Sequence, residues 1–167
     1  MALKNPKAKG NAFERKVAKM LSEWSEVKFM RTPMSGAIHN FKDKRVVSDI
    51  VPPLALGAFP FSIECKNVAC SWEFSTMMEG TSQTLNKHWE QCCNDAKQEG
   101  LLPMLIFTKN FRGIYTALNK PDFERLGVEF NNYIEVHTGD LITPIVIVSF
   151  SDFLIKVNCA KMIESFK

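Results

Sequence analysis

The chain has 167 residues, of which 46% are hydrophobic and 23% are charged. Its length predicts a single domain spanning 1–167 that can bury a core, and its composition is that of an ordinary globular protein. No apolar run approaches the roughly 18 residues of a membrane span, so we expect no membrane partner.

The basic residues are concentrated in the first third of the chain. Residues 1–50 hold 11 lysines and arginines against 5 acidic residues, whereas residues 51–167 hold 10 against 13. This excess predicts contact with a polyanion, and a solvated charged tail is the simpler alternative. Residues 1–10 are basic, and we expect them to be mobile.

The expected location is intracellular. Residues 1–10 lack the apolar stretch of a signal peptide, and the five cysteines include no CxxC pair. We therefore expect the cytoplasm or nucleoid, or the host-cell cytoplasm for a viral protein.

The first predicted helix runs from an N-cap at Asn11 to about Glu26. Its apolar positions recur at helical spacing and predict a buried face, formed by Phe13, Val17, Met20, Leu21 and Trp24. Glu14 falls at the edge of this face. Its carboxylate either reaches solvent or is directed at a charged group, and the helix pattern leaves both readings open.

A predicted hairpin follows. The alternation over Phe61–Val68 predicts a strand with Glu64 and Lys66 on one face. Asp49 precedes a short apolar run, after which Pro52-Pro53 indicates a turn. A hairpin joining the two runs would place Asp49 beside Glu64, with Lys66 close to both.

This trio predicts a metal-dependent reaction. Paired carboxylates hold hard divalent cations such as Mg²⁺ through oxygen, and the cation activates water and stabilises charge on a reacting phosphate. A lysine beside the metal orients the water, helps to deprotonate it or neutralises developing charge. An exposed ion pair on a strand is the simpler explanation of Glu64 and Lys66.

The rest of the chain predicts an α/β fold. A polar, basic loop covers 32–45, and a helix over 83–99 ends at Gly100 with an apolar stripe. Strands are predicted over 102–109, 113–118 and within 142–149, helices over 121–126 and 151–162, and a partly loop-like segment over 131–140. We expect a central mixed β-sheet flanked by helices, with the strand order undetermined.

Two groups of residues resemble a known nuclease superfamily. Asp49 followed by Glu64-Cys65-Lys66 resembles the active site of the PD-(D/E)xK nucleases, with Ser48 where that motif has proline. The segment Lys9–Val17, with its Gly10, Glu14 and Arg15, is similar to the opening of archaeal-type Holliday junction resolvases, as are Arg31 and the Ser35-Gly36 loop. The resemblance covers about residues 9–110.

The resemblance implies a restriction-endonuclease-like fold and a function. The implied enzyme is a Mg²⁺-dependent DNA endonuclease, with Mn²⁺ as a substitute metal. It would resolve four-way (Holliday) junctions by paired symmetric nicks, acting on branched DNA as a C2 homodimer. The alternatives are a nuclease for other DNA structures or duplex ends, and a non-catalytic nucleic-acid-binding module of the same fold.

The resemblance also implies roles for individual residues. Asp49 and Glu64 would bind the metal, with Glu14 as a further, water-mediated ligand and the Cys65 carbonyl as another. Lys66 would act on the attacking water, and Gln91 matches a glutamine that many superfamily members place near the metal. The residues expected to contact DNA are Lys9, Arg15, Arg31, Ser35, Lys42, Lys44 and Arg45.

Overall fold

The computed structural model describes residues 6–32, 47–68, 83–109, 113–137 and 143–167. These residues form an α/β fold in which helices flank a mixed sheet of seven strands. The helices are α1 (Pro6–Ser25), α2 (Gln83–Glu99), α3 (Lys120–Arg125), α4 (Phe150–Lys156) and α5 (Cys159–Ser165). The strands are β1 (Met30–Arg31), β2 (Ile50–Val51), β3 (Phe61–Val68), β4 (Leu102–Lys109), β5 (Ile114–Asn119), β6 (Tyr133–Val136) and β7 (Ile145–Ser149).

The sheet has the strand order β1-β2-β3-β4-β5-β7-β6. The central pair, β3 and β4, is parallel, with Phe61 opposite Leu102, and the other pairs are antiparallel. The parallel pair follows from α2, which connects the two strands as a crossover. The sequence could not determine this order, and the predicted fold class is confirmed.

Two apolar layers lie on opposite faces of the sheet. Successive residues of a strand point to opposite faces, so Leu105 and Ile106 of β4 enter different layers. Ile106 packs with Val17 of α1, whereas Leu105 packs with Trp89 of α2. Both faces of the central strands are therefore buried. The predicted apolar faces of α1 and α2 are the ones that pack against the sheet.

The N-terminal helix begins earlier than the sequence indicated. α1 starts at Pro6, so residues 6–10 are helical, while residues 1–5 lie outside the described residues; the expected mobility of the N-terminus stays a prediction. Proline is favoured in the first turn of a helix, where its missing N–H is not needed. Asn11 therefore lies inside the helix and is not its N-cap.

The predicted C-terminal helix over 151–162 is two helices. α4 ends at Lys156, and Val157 is extended with a ψ of 119°. Asn158 then caps α5, because its side-chain oxygen accepts a hydrogen bond from the Lys161 N–H at 3.0 Å. A strand, β6, also lies within the segment 131–140.

None of the helices in the described part of the chain combines the length and apolar character needed to cross a membrane.

Candidate active site

Asp49 lies where main-chain pairing between β2 and β3 ends. β2 pairs with β3 through Ile50 and Ile63, and the Asp49 N–H donates to the Ile63 carbonyl at 3.0 Å. Two residues further along β3, the Asp49 side chain replaces the main chain as acceptor, since its Oδ2 accepts the Cys65 N–H at 2.9 Å. The predicted hairpin is confirmed, and it fixes the buried Asp49 carboxylate against β3.

Glu64, Lys66 and Gln91 form a closed hydrogen-bonded ring. Lys66 Nζ lies 2.5 Å from Glu64 Oε1 and donates to Gln91 Oε1 at 3.0 Å. Gln91 Nε2 in turn donates to Glu64 Oε1 at 3.0 Å. α2 therefore supplies the amide that holds together the two charged groups of β3.

These bonds use one oxygen of each carboxylate. Asp49 accepts through Oδ2 and Glu64 through Oε1, so the contacts do not engage Asp49 Oδ1 or Glu64 Oε2. A carboxylate held at one oxygen can still offer the other to a cation or a water. These contacts thus orient both carboxylates and leave Asp49 Oδ1 and Glu64 Oε2 to accept a cation or a water.

Burial and charge alter the proton affinities in this site. Burial, with the neighbouring Asp49 carboxylate, raises the pKa of Glu64 to about 8, although Lys66 acts to lower it. Burial, the largest single influence, would lower the pKa of Lys66, but the carboxylates of Glu64, Asp49 and Asp95 act together to raise it, and the net shift is upward. Lys66 is therefore an ammonium at neutral pH, whereas Glu64 would have to release a proton to bind a cation.

The donor set fits a hard divalent cation. Burial raises the pKa of the Cys65 thiol well above its ordinary value, so the thiol stays protonated and is a poor ligand. The Cys65 N–H and C=O point to the same edge of the strand, and the N–H meets Asp49 there, so the carbonyl faces that edge too. Two carboxylates and a carbonyl are the oxygen ligands that Mg²⁺ prefers.

Within the described residues, no three histidine, cysteine, aspartate or glutamate side chains form a complete metal cluster.

Glu14 belongs to a second, neighbouring group. The buried Glu14 carboxylate forms an ion pair with Arg31 Nε, and the Arg31 guanidinium also donates to Asn11 Oδ1 at 2.9 Å. Glu14 contributes to the raised pKa of Cys65, so its charge acts close to β3. Of the two readings that the helix pattern left open, the structure shows a carboxylate directed at a charged group.

Sequence reasoning missed two acidic residues of α2. Asp95 is hydrogen-bonded to Gln91, and Glu99 Oε1 accepts the backbone N–H groups of Val47 and Ser48 at 3.2 and 3.0 Å. The signal that could have found them is spacing, since residues 91, 95 and 99 recur at every fourth position and share one helix face.

Some residues expected to contact DNA lie outside the described residues, namely Ser35, Lys42, Lys44 and Arg45. Of the others, Arg15 is exposed on α1, Lys9 is half-buried there, and Arg31 is half-buried in its pair with Glu14.

A mixed sheet that carries an aspartate on one strand and a Glu-x-Lys motif on the next defines a nuclease domain of the restriction-endonuclease-like class. The chain belongs to the family described as "Phage putative PDDEXK endonuclease", whose sequence model matches residues 5–164. The match covers nearly the whole chain and confirms the superfamily to which the motifs pointed. No curated protein and no solved structure matches the chain.

Proposed function

We propose that this endonuclease hydrolyses phosphodiester bonds of DNA in a reaction that requires Mg²⁺, for which Mn²⁺ can substitute. The observation that carries the proposal is the ring of Glu64, Lys66 and Gln91 directly beside the buried Asp49 carboxylate. Asp49 and burial together raise the pKa of Glu64, and a bound divalent cation would compensate both carboxylates once Glu64 has released its proton.

Asp49, Glu64 and the Cys65 carbonyl would hold the metal. Their oxygens are hard ligands, and each carboxylate is oriented by a bond to the protein through its other oxygen. When bound, the cation supplies Lewis-acid stabilisation of the phosphate and lowers the pKa of a water molecule. Glu14 would contribute through a water molecule from α1.

Lys66 would orient the attacking water and stabilise charge on the phosphate. Its raised pKa favours these roles over that of a general base, because a group that keeps its proton cannot accept another. Gln91 would hold Nζ of Lys66 in place through the 3.0 Å bond to its side-chain oxygen.

The basic residues near the site would bind the DNA backbone. Arg31, Arg15 and Lys9 belong to α1 and β1, beside the strands that carry Asp49 and Glu64. Contacts of this kind position a duplex without reading its sequence. Ser35, Lys42, Lys44 and Arg45, which lie outside the described residues, are also expected to contact DNA.

A cleavage assay with metal control tests the reaction. Labelled four-way junction and matched linear duplex are incubated with the protein and either Mg²⁺ or EDTA. We expect cleavage with Mg²⁺, none with EDTA, and recovery when Mn²⁺ is added after EDTA treatment. Equal cleavage in EDTA would contradict a metal mechanism, and no cleavage of any DNA with either metal would favour the binding module.

The preferred substrate that we propose is a four-way junction, cut by a homodimer. Two basic surfaces and two sites in a C2 dimer could engage branched duplex arms together, and this two-site binding should exceed either contact alone. The expected products are nicked duplexes from paired cuts.

Competition measures this preference. Catalytically inactive Asp49→Asn protein is bound to labelled junction, and unlabelled junction or linear duplex is added in excess. We expect the junction to compete far better than the duplex, with both affinities falling as salt rises. Equal competition, or a monomer in sedimentation at the concentrations used, would remove the junction assignment and leave a general endonuclease.

A further inference from the structure

A second set of contacts fixes the segment that leads into Asp49. Glu99 Oε1 accepts the N–H groups of Val47 and Ser48 from one side, at 3.2 and 3.0 Å. Thr32 holds the same segment from the other side, because its Oγ1 donates to the Ser48 carbonyl at 2.5 Å and its N–H donates to the Asp49 carbonyl at 2.9 Å. The segment that leads into Asp49 is therefore held by α2 on one side and by Thr32, the residue after β1, on the other.

The sheet alone would leave this segment weakly held. β2 contains two residues, and its pairing with β3 runs through a single opposed pair, Ile50 and Ile63. The residues before Asp49 lie beyond that ladder. The bonds from Glu99 replace main-chain pairing for Val47 and Ser48.

Glu99 occupies a position where a carboxylate is unfavourable. The Leu101 N–H bonds to the Ala96 carbonyl at 2.9 Å and the Gly100 N–H to the Lys97 carbonyl at 3.2 Å, and Gly100 has a φ of 69°. This is a Schellman motif, which makes Glu99 the C-cap of α2. A negative charge at a helix C-terminus opposes the helix dipole.

A second oxygen of Glu99 adds to that cost. Glu99 Oε2 is buried and has no hydrogen-bond partner among the residues that the structure describes. A buried polar atom without a partner is destabilising. The stability of α2 therefore does not explain why residue 99 is a glutamate. The two hydrogen bonds that its Oε1 accepts from Val47 and Ser48 do explain it.

We propose that Glu99 is a positioning residue for the metal site, an inference that rests on the proposed function. The same helix bonds both metal-binding strands: Gln91 donates to Glu64 at 3.0 Å, and Glu99 accepts from the residues preceding Asp49. α2 thereby sets the separation of the two carboxylates. Metal affinity depends steeply on that separation, because Mg²⁺ tolerates little departure from octahedral geometry.

Metal affinity in matched variants tests this role. Mn²⁺ binding to the DNA-free protein is measured by electron paramagnetic resonance for wild type, Glu99→Ala, Glu99→Gln and Glu90→Ala. Glu90 is an exposed glutamate on the same helix and controls for loss of charge. We expect Glu99→Ala to weaken Mn²⁺ binding about tenfold, as loss of a supporting contact usually does. Glu99→Gln should restore most of it, since an amide oxygen accepts the same two N–H groups, and Glu90→Ala should match wild type.

Hydrogen exchange supplies a readout that does not depend on metal or activity. The amides of Val47 and Ser48 should lose protection in Glu99→Ala and keep it in Glu99→Gln. If Glu99→Ala does not fold, Thr32→Val decides in its place, because it keeps the side-chain volume and removes the hydroxyl bond to Ser48. Thr32→Val should also weaken Mn²⁺ binding.

Two outcomes would overturn the inference alone. One is wild-type Mn²⁺ affinity in a folded Glu99→Ala protein, or in Thr32→Val where that variant decides. The other is a folded Glu99→Gln protein that binds Mn²⁺ as poorly as Glu99→Ala, since charge and not the contact would then matter. If wild type itself binds no Mn²⁺, the proposed function fails with it, so the two failures are distinguishable.

Discussion

Two glutamate–lysine pairs, one on the central strand β3 and one at the edge strand β6, differ in their surroundings. On β3, Lys66 Nζ lies 2.5 Å from Glu64, whose side chain is 6% exposed. At the far edge, Lys120 Nζ of α3 lies 3.0 Å from Glu135 of β6, whose side chain is 28% exposed. The same two residue types thus form one pair with a buried glutamate and one with a partly exposed glutamate.

The difference shows what the chemistry of the first pair requires. A solvated pair such as Lys120–Glu135 adds little to stability and can be lost without consequence. The Glu64 carboxylate is buried, and burial together with the neighbouring Asp49 raises its pKa. A Glu-x-Lys pattern is therefore ordinary on a surface and becomes informative when a second carboxylate is buried with it.

The largest expected effect is on cleavage activity, which should depend on Glu64 and not on Glu135. Glu64→Gln and Asp49→Asn should each lower the cleavage rate by at least about a thousandfold, because a ligand and its charge are lost from the reacting centre. DNA binding in EDTA should survive, since removing negative charge relieves repulsion of phosphate. Single-turnover cleavage and filter binding measure the two effects.

Glu135→Gln is the matched control for that experiment. It makes the same substitution on a strand glutamate that is paired with a lysine, and it should cleave as wild type does. If Glu64→Gln and Asp49→Asn also retain wild-type turnover, the carboxylates on β2 and β3 are not the metal site.

Substituting Lys66 or Lys120 should change kcat by different amounts, and the difference should be smaller than that between the glutamate variants. Lys66→Ala should reduce kcat about 100-fold, as the loss of a group that assists proton transfer or charge stabilisation does, while the fold persists. Lys120→Ala should leave kcat unchanged. Circular dichroism and thermal denaturation accompany the kinetics, and a Lys66→Ala protein that unfolds at ordinary temperature would make Lys66 a structural partner.

The pH dependence of stability should distinguish Glu64 as well. Its pKa is about 8 in the folded, metal-free protein and near 4.5 ordinarily, so folding favours the protonated form. The stabilisation is fully present below the unfolded value and is lost as pH rises through the folded value. The melting temperature of wild type, relative to Glu64→Gln, should therefore fall as pH increases between these two pKa values.

Saturating Mg²⁺ should abolish that trend, because Glu64 is already ionised in the unfolded chain across this range and is ionised in the metal-bound folded protein too. A metal displaces the proton from Glu64, so the metal stabilises the protein more as pH rises. A wild-type protein whose melting temperature relative to Glu64→Gln does not vary with pH in EDTA would contradict the raised pKa of Glu64.

The smallest expected effect is on the melting temperature when the Lys120–Glu135 pair is broken. Glu135→Gln should leave the melting temperature nearly unchanged, and any difference should shrink in high salt, because exposed charges are screened. Thermal denaturation at low and high salt measures this. A large loss of stability would show that exposure is a poor guide to the importance of these pairs.

The regular elements could be predicted where the signal is local. Phe61–Val68 and Gln83–Glu99 have the bounds expected from alternation and helical spacing, since both patterns are written within the segment itself. The hairpin followed from a turn signal between two short apolar runs. These elements placed Asp49, Glu64, Lys66 and Gln91 in one neighbourhood before the structure was known.

The remaining features depend on contacts between distant residues. The bond from Glu99 to Ser48 crosses 51 positions of sequence, and no local pattern pairs them. The pairing of Glu14 with Arg31 likewise joins a helix to a strand. The break at Asn158 was missed because a capping asparagine resembles an ordinary polar position within a helix. The sheet order was open for the same reason, since crossovers are set by packing.

The bond from Asp49 Oδ2 to the Cys65 N–H has a consequence for mutational scanning. The side chain stands in for a missing main-chain acceptor, so an alanine at this position would leave a buried N–H unpaired, which costs about 1–3 kcal/mol. Asparagine keeps an oxygen for that bond and lacks only the charge. Position 49 is therefore expected to meet two requirements: folding would accept aspartate or asparagine, and the proposed reaction would accept aspartate alone. Asp49→Ala removes both the hydrogen bond and the charge, so its effect on activity cannot be assigned to either. Comparing Asp49→Asn with Asp49→Ala separates the two effects.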